Sequence, residues 1–452
     1  MRPLFLVPAL VLLACRPQGS QRLPPTDSLY FPTGIAFSPG VVSPGNPEPR
    51  GFVYVASANF DRRFDYGTVT AINLDKIKDD LPALGSSTAG NPRAIFDLGL
   101  AAENQVLVQS FTGEMGGFQV PGGPFRLFVP SRSEGSFVHM VDAVGGQLSC
   151  TAPYVGPSAQ DCSSGGLSTV SLQNTATGKP RAPEPYGVTV TRDGQVWLTH
   201  VRGADSPVGS GTNIEGYVVT LDAVNPTIDV DNFTLIGSTG GTNSIAVGQR
   251  YAFVTGRYTN PRGAMIRIVD RQKRVPLLNP QLESVYQVLE ARGVGITSDE
   301  RRLFVAGRSP DTLVVIELRD TLTDIPKLTV VRGVSLPAGS NGLKIIERAG
   351  RGPLVIVTSS LGNVVSVYDD DLGQLVAQVS DVGSQPFGLD VQTRTEADGT
   401  TRARIFVSTF GDGRVAVLDM PDVNDPQNTY VVARLGLPQF CLLDRNSPGC
   451  PP

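Results

Sequence analysis

Histidine and tryptophan are almost absent from this chain. Its 452 residues include two histidines, His139 and His200, and one tryptophan, Trp197. Metal centres and acid–base sites usually need clustered partners, which a lone histidine does not supply. No His-Glu-x-x-His, Gly-x-Ser-x-Gly or Gly-rich phosphate-loop pattern occurs. We therefore predict no metal site, no cofactor and no catalytic residue of these kinds.

An excess of basic charge is also missing. Lys and Arg total 38 against 42 Asp and Glu, so the formal net charge is −4 and the pI is near 5.4. Nucleic-acid-binding domains usually carry a basic surface, so we expect no nucleic-acid partner. The apolar run at residues 4–13 is too short to span a bilayer.

A repeated strand–turn–strand unit dominates the rest of the chain. In residues 301–318, an aromatic between aliphatics marks the first strand, and residues 313–316 mark the second, which ends on Glu317. The unit recurs about seven times. The first strands centre on Tyr54, Phe128, Trp197, Phe253, Phe304, Ile356 and Phe406. The second strands end on Asn73, Asp142, Asp222, Asp270, Glu317, Asp369 and Asp419.

A third motif, a small residue followed by apolar alternation, precedes most of these pairs. It begins at Gly34, Gly187, Ser244, Gly295, Gly342 and Gly388, and its best candidate in the second repeat is residues 105–108. A period of roughly 45–60 residues with about four strands is typical of a propeller blade. We predict an all-β, seven-bladed β-propeller with four-stranded antiparallel blades. Residues 428–435 are predicted to be an outermost strand that pairs with blade one and closes the ring.

The strand ends Tyr54-Val55-Ala56-Ser57 and Phe253-Val254-Thr255-Gly256 carry a family resemblance. They resemble the aromatic-Val-small-Asn signature of YVTN-type, lactonase-like seven-bladed propellers, with Ser57 and Gly256 in place of the Asn. Hydrolytic propellers of this kind place a metal or an acid/base pair at the axial mouth. The resemblance therefore implies an alternative function as a hydrolase, with His200, Arg257, Arg308 and Glu184 as its candidates.

The N-terminus has the pattern of a bacterial lipoprotein leader. Arg2 precedes the apolar run, which ends Leu12-Leu13-Ala14-Cys15. This resembles the lipobox, in which Cys15 is lipidated, and Arg16 implies sorting to the outer membrane. The alternative is a plain secretory signal with a chance Cys. We divide the chain into a signal peptide (1–15), a flexible tether (16–27), the propeller (28–436) and a Cys-containing tail (437–452).

Four cysteines remain when Cys15 is set aside. Cys150, Cys162, Cys441 and Cys450 allow three connectivities, of which the simplest pairs Cys150 with Cys162 and Cys441 with Cys450. Disulfides require an oxidising compartment such as the periplasm or cell surface. The alternative, a four-Cys zinc site, lacks Cys-x-x-Cys spacing.

Most of the remaining conspicuous residues have a structural explanation. Trp197 lies in the aromatic column, and the strand-end acids are typical of turns, in which Asp accepts backbone N–H groups. His139 is predicted to be an ordinary strand residue, whereas His200 is the exception in a column of small residues. The run Asp369-Asp370-Asp371 lacks the ligand spacing of a calcium loop.

The main candidates for ligand binding lie where the first strand meets the turn to the second. These positions carry Arg132, Arg202, Arg257 and Arg308, to which we add His200. Guanidinium groups on one arc suit carboxylate or phosphate recognition, and the alternative is a rim of ordinary ion pairs.

The first functional hypothesis is a non-catalytic platform in the cell envelope. It would be monomeric, held to the outer membrane by its lipid, and would face the periplasm or the exterior. Its partner would be a protein or a glycan, bound by the arginines or by the long insertion at residues 145–180. Loops of this length in a compact fold are often functional.

Overall fold

The computed structural model describes residues 21–42, 46, 48–86, 90, 92–96, 98–99, 101–133, 137–152, 158–163, 169–171, 184–201, 204–205, 214–227, 232–238, 241–256, 266–277, 288–322, 325–443 and 450. The leader with Cys15, the first half of the tether, and the candidates Arg202 and Arg257 lie outside the described residues.

The strands form seven antiparallel sheets arranged as the blades of a propeller. Blade one contains β1 (Pro32–Ser38), β2 (Phe52–Ser57), β3 (Gly67–Asn73) and β5 (Ala102–Val108), and the intervening β4 (Arg93–Ile95) joins blade seven. Blade two contains β6 (Gly116–Gln119), β7 (Phe125–Ser131), β8 (Phe137–Val144) and β10 (Thr169–Ser171), with β9 (Gln147–Cys150) also paired to β8. Blade three contains β11 (Pro185–Val190), β12 (Gln195–His200), β13 (Ala204–Asp205), β14 (Ile214–Asp222) and β15 (Phe233–Ser238).

The later blades follow the four-stranded pattern more regularly. Blade four contains β16 (Thr242–Val247), β17 (Tyr251–Gly256), β18 (Ile266–Asp270) and β19 (Val275–Pro276). Blade five contains β20 (Glu290–Ile296), β21 (Arg302–Arg308), β22 (Thr312–Arg319) and β23 (Lys327–Ser335). Blade six contains β24 (Ser340–Arg348), β25 (Arg351–Ser359), β26 (Val364–Asp369) and β27 (Gln374–Val379). Blade seven contains β28 (Pro386–Thr395), β29 (Thr401–Thr409), β30 (Arg414–Met420) and β31 (Tyr430–Leu435).

The predicted seven-bladed propeller is therefore confirmed, and the inner strands of the blades surround a common axis. The first strand of the sequence repeat is the second strand of each blade, counted from the axis, and is called the second strand from here on. Its central residue, Trp197 in blade three, is 0–2% exposed in every blade, which makes these residues the packing layer between blades. After β31, α1 (Gln439–Leu443) begins beside the turn between β29 and β30, where the Gln439 N–H donates to Asp412 O. It ends the described chain except for Cys450. Among the described residues, no helix is long and apolar enough to cross a membrane.

The closing strand differs from its prediction in one respect. Residues 430–435 form β31, the outer strand of blade seven, which pairs with β30 rather than with a sheet of blade one. The contribution from the N-terminal part of the chain is β4, which adds in parallel to the outside of β31. This covers the edge of blade seven, as closure requires.

The predicted inner strand of blade two was wrong. Residues 105–108 belong to β5, the outer strand of blade one. The inner strand of blade two is β6, preceded by Thr112, which pairs with Ser131 as Pro32 pairs with Ser57 in blade one. The Gly-rich stretch at residues 113–123 therefore contains this inner strand and its hairpin.

Both predicted disulfides are present. Cys150 is bonded to Cys162, and Cys441 is bonded to Cys450. The first disulfide lies in the insertion. Two backbone hydrogen bonds hold this part of the insertion against blade one, since the Leu107 N–H donates to Gln160 O and the Cys162 N–H donates to Leu107 O. The described part of the insertion is thus fixed to the propeller.

A β-bulge near the start of the inner strand of blade three leaves Gly187 no room for a side chain. At Gly187, an added Cβ would lie 2.2 Å from Asn243 O and 2.5 Å from Thr199 Oγ1. We expect Gly187→Ala to lower the free energy of unfolding by about 1–3 kcal/mol through overpacking. Urea unfolding measures this change. Ser244→Ala, at the matched position of blade four, is the control and should change little. A free energy of unfolding equal to that of the wild type would contradict this expectation, because the strands would then accommodate the added methyl group without loss of stability.

Candidate functional site

One face of the propeller carries both the starts of the inner strands and the turns after the second strands. The strand register establishes this, because Pro32 pairs with Ser57, Pro185 with His200 and Ser340 with Ser359. We call it the top face. It is where the arginine candidates were predicted to lie.

Five phenylalanines form an aromatic cluster on the top face of blades seven, one and two. They are Phe31, Phe60, Phe111, Phe387 and Phe410, and consecutive ring centroids are 5.0–6.2 Å apart. Phe60 is 51% exposed, and the Arg62 guanidinium lies 5.1 Å from the centre of the Phe111 ring. An exposed aromatic group of this size is uncommon on a surface without a partner.

Two members of the cluster have a strained backbone. Phe31 and Phe111 have φ values of 50° and 61°, in the left-handed region that bulky residues avoid. The position before the inner strand is left-handed in other blades too, where Glu184, Gly339 and Gln385 occupy it. The left-handed conformation therefore belongs to the bulge that the blades share, and blades one and two place a phenylalanine in it.

A chamber of about 270 Å³ lies on the propeller axis, lined by the inner strands of all seven blades. Most of its wall is apolar or glycine, including Ile35, Val188, Ile245, Val294 and Leu389. We call it the axial chamber. Its few charged groups stand out because they interrupt a lining that the repeat otherwise keeps uncharged.

Glu114 is the first exception. The strand register puts it at the bulge position, where the other six blades carry Gly34, Gly187, Ser244, Gly293, Gly342 and Gly388. The Glu114 side chain is partly exposed to the inside of the chamber, and protein atoms surround it on its other sides. This burial raises the pKa of Glu114 to about 7, and Lys344, the Val188 backbone N–H and Arg292 limit the rise.

Lys344 and Asp390 are the second exception. They occupy the same register position on adjacent inner strands, where the other blades carry Ala36, Gly116, Thr189, Ala246 and Gly295. Their charged atoms are 3.1 Å apart, and the Phe37 backbone N–H also donates to Asp390 at 2.8 Å. Asp390 is the main cause of the raised pKa of Lys344. The pair joins blades six, seven and one across the wall of the chamber.

Arg292 and Tyr186 lie at the top of the chamber. Both follow the first residue of the bulge, as do Asn341 and Phe387 of the chamber wall. Arg292 forms an ion pair with Glu290, and its Nη1 lies 3.4 Å from Asn243 Oδ1. Burial raises the pKa of the Tyr186 hydroxyl to about 12, and Glu114 contributes in the same direction.

Two of the predicted arginines can be placed. The Arg132 guanidinium lies 5.5 Å from the centre of the Tyr186 ring, beside the chamber. Arg308 is bound to blade six, because its Nε donates to Ser340 O at 2.8 Å and its Nη2 to Gly339 O at 3.2 Å. Burial lowers the pKa of Arg308, and Arg292 adds to the effect. The structure brings these two together with Arg292, which sequence reasoning missed.

His200 and His139 are both fully buried in the sheets. His200 Nε2 accepts a 2.7 Å hydrogen bond from the Tyr217 N–H, so this nitrogen is used by the backbone of blade three. His139 Nε2 accepts from the Gln109 N–H at 3.2 Å, and its Nδ1 lies 3.0 Å from Cys162 O. Burial lowers the pKa of His139 to about 4. The predicted structural role of His139 is confirmed.

The strand-end acids also have their predicted structural role. Asp369 accepts hydrogen bonds from the backbone N–H groups of Asp371 and Leu372, and Asp270 from those of Gln272 and Lys273. Within the described ranges, no three His, Cys, Asp or Glu side chains form a group that could hold a metal ion.

The first described residues lie on the top face. Gln21 Nε2 donates to the Tyr66 hydroxyl at 3.0 Å, and the Arg22 N–H donates to Asp65 at 2.8 Å. Asp65 and Tyr66 belong to the turn between β2 and β3, beside the aromatic cluster. The chain therefore reaches the propeller at this face, and the last part of the expected tether is bonded to it.

These features define the class of protein: a seven-bladed β-propeller with a hollow, partly charged axis. The chain is similar to the solved structure of hydrazine synthase from Kuenenia stuttgartiensis, at 13% identity over 89% of this chain and 98% of that one, with a TM-score of 0.52. It is also similar to the Cps50 (Swd1) β-propeller domain of Myceliophteria thermophila, at 11% identity over 88% and 99% with a TM-score of 0.48. AztD of Citrobacter koseri matches at 9% identity over 91% and 93%, with a TM-score of 0.42. At these identities the likeness concerns the fold alone. No protein-family model and no curated protein matches the chain.

Proposed function

We propose that this protein is a non-catalytic, lipid-anchored platform of the cell envelope that binds a partner protein with its top face. The observation that carries the proposal is the aromatic cluster, with Phe60 half exposed and Phe31 and Phe111 held in strained conformations. Aromatic and arginine side chains are enriched in the energetically important centres of protein interfaces. The five phenylalanines offer apolar contact area and no side-chain hydrogen bonds, which suits an apolar protein surface better than the hydroxyl-rich surface of a glycan.

The position of the tether supports a partner close to the membrane. Gln21 is six positions after Cys15, and an extended chain of six such steps spans about 20 Å at most. Because Gln21 is bonded to the top face, a lipid on Cys15 would hold this face near the bilayer. The two disulfides agree with an oxidising envelope compartment.

Site-specific photo-crosslinking in intact cells tests this proposal. A crosslinking amino acid at Phe60 is expected to give a discrete protein adduct. The same amino acid at Leu372, which is 59% exposed in the turn between β26 and β27 on the opposite face, is the matched control. Phe410→Asp, introduced into the Phe60 probe, should reduce the adduct about tenfold or more, as expected for an interface hot spot. Equal labelling from both positions, or adducts that are polysaccharide, would contradict a protein partner at the top face.

A hydrolytic enzyme with its site at the axial mouth is the second candidate. The specific observation in its favour is Glu114, because a carboxyl group with a pKa of about 7 is suited to general acid–base catalysis at neutral pH. Turnover of simple lactones or esters that is lost in Glu114→Gln would establish it. A rate equal to that of the uncatalysed reaction would exclude the hydrolase hypothesis for these substrates.

A further inference from the structure

Two buried guanidinium nitrogens near Tyr186, beside the axial chamber, lack a hydrogen-bond partner within the described part of the chain. Nε of Arg132 and Nε of Arg292 make no hydrogen bond to any described residue. The Arg292 side chain is only 12% exposed, so water supplies little compensation. A buried donor without an acceptor destabilises the folded protein, and such groups are rare in native structures. A bound ligand that accepts the hydrogen bond removes this penalty.

Both arginines lie close to Tyr186. Arg132, Arg292 and Glu114 all interact electrostatically with the Tyr186 hydroxyl, and Asn341 bonds to it. The Lys344 ammonium group faces the same chamber with 48% of its side chain exposed, and Asp390 accepts from only one of its three N–H donors. The top of the chamber therefore offers donors and needs acceptors, as a carboxylate or phosphate ligand would supply.

The rest of the chamber decides between these two anions. Below the polar groups, its wall combines apolar side chains such as Ile35, Val188 and Leu343 with glycines and with the hydroxyl-bearing Thr189 and Ser244. Inorganic phosphate would leave this surface uncovered, whereas a hydrocarbon chain would bury it. A volume of about 270 Å³ accommodates a small molecule rather than a peptide or a sugar chain.

We propose that the axial chamber binds a small aliphatic carboxylate, with its carboxylate at Arg292 and Arg132 and its hydrocarbon chain between the inner strands. The proposal concerns a ligand inside the propeller and does not depend on a partner at the top face. Binding takes up a proton at Glu114, because an ionised Glu114 would repel the ligand and a protonated one donates a hydrogen bond.

The groups around Glu114 fix the direction of this pH dependence. Lys344 and Arg292 favour its ionised form, Tyr186 is neutral, and burial favours its protonated form and dominates. A bound carboxylate would interact with Lys344 and Arg292, so these cations would stabilise the ionised form of Glu114 less. Ligand binding therefore shifts Glu114 further towards its protonated form. Affinity should therefore fall as pH rises through about 7, the pKa of Glu114.

Isothermal titration of the purified protein with butyrate, hexanoate and butyramide tests the proposal. Both carboxylates are expected to bind, hexanoate about tenfold more tightly because it buries two further methylene groups. The neutral isostere butyramide should bind at least about tenfold more weakly than butyrate. From pH 6 to pH 8, the dissociation constant of butyrate should rise roughly tenfold. No binding, or equal binding of butyrate and butyramide, would overturn the proposal.

Three variants separate the roles of the side chains. Glu114→Gln should bind butyrate at pH 6 like the wild type and lose the pH dependence. Arg292→Met should weaken binding about tenfold or more. The matched control is Arg319→Met, on the opposite face of the same blade and 68% exposed, which should leave binding unchanged. Unchanged binding in Arg292→Met, or an unchanged pH profile in Glu114→Gln, would overturn the assignment. Thermal melts establish that each variant is folded.

Discussion

Replacing Arg404 by leucine is expected to lower the free energy of unfolding by about 3–5 kcal/mol. Arg404 is 2% exposed, and its Nε and Nη2 donate to the two carboxylate oxygens of Asp419 at 2.7 and 2.8 Å. Nη2 also donates to Pro82 O at 2.8 Å, which fastens the segment before β4 to blade seven. The substitution would leave the fully buried Asp419 carboxylate without its cation, a much larger cost than the loss of a surface ion pair.

Urea unfolding of three variants measures this effect. The double variant Arg404→Leu/Asp419→Leu removes both charges and should recover most of the lost stability, since an apolar pair can replace a buried ion pair. Arg394→Leu is the control on the same blade, because Arg394 is 43% exposed in its ion pair with Glu396 and should cost less than about 1 kcal/mol. A single variant as stable as this control, or a double variant no better than Arg404→Leu, would contradict the expectation.

This ion pair shows what the repeat makes predictable. The strand-end acids form a clear column in the sequence, and the structure places each of them opposite the residue two positions before the central aromatic of the neighbouring strand. Arg126 faces Asp142 and Arg404 faces Asp419 in this way. Strand pairing with period two gives that relation, so the partners could be found once the register is known. Turn geometry accounts for the acids themselves, but it does not identify the residues that face them on the neighbouring strand.

The candidate site was less predictable, because it depends on departures from the repeat. Glu114 was missed since residues 105–108 were assigned to the inner strand of blade two, so its place in a glycine column stayed hidden. Lys344 and Asp390 lie in motifs that were recognised, and their opposite charges at one position of adjacent blades were the available signal. Arg292 carries no such signal, because its column contains Thr33, Gly113, Tyr186, Asn243, Asn341 and Phe387 with no shared chemistry.

The aromatic cluster could not be found from strand patterns at all. Phe60 and Phe410 follow second strands, whereas Phe31 and Phe111 precede inner strands. Blades seven and one, which both contribute to the cluster, become neighbours only when the ring closes. Closure also brings Asp390 of blade seven to the Phe37 N–H of blade one. The aromatic cluster and the charged wall of the chamber both combine residues from different blades. The sequence pattern of a single blade therefore does not predict either of them.

Lowering the pH from 7.5 to 5 is expected to destabilise the protein through His139 by about 2 kcal/mol. Burial lowers the pKa of His139 to about 4 in the folded protein, whereas an unfolded histidine titrates near its ordinary value of about 6.5. Between these values the unfolded state binds a proton that the folded state does not. Stability is therefore full above pH 6.5 and is lost as the pH falls towards 4. The physical cause is that Nε2 must remain an acceptor for the Gln109 N–H while Nδ1 bonds to Cys162 O.

The matched measurement is urea unfolding of His139→Gln and His200→Gln at both pH values. At pH 7.5, His139→Gln should have a lower free energy of unfolding than the wild type. Between pH 7.5 and pH 5, that free energy should fall by about 2 kcal/mol less in the variant than in the wild type, because glutamine does not titrate. His200→Gln reports the contribution of the second histidine. An equal acid response in His139→Gln and the wild type would contradict the assignment. Because Cys162 holds the insertion to blade one, protonation of His139 should also expose residues 158–163 before the ring unfolds, and amide hydrogen exchange at Leu107 and Cys162 would detect this opening.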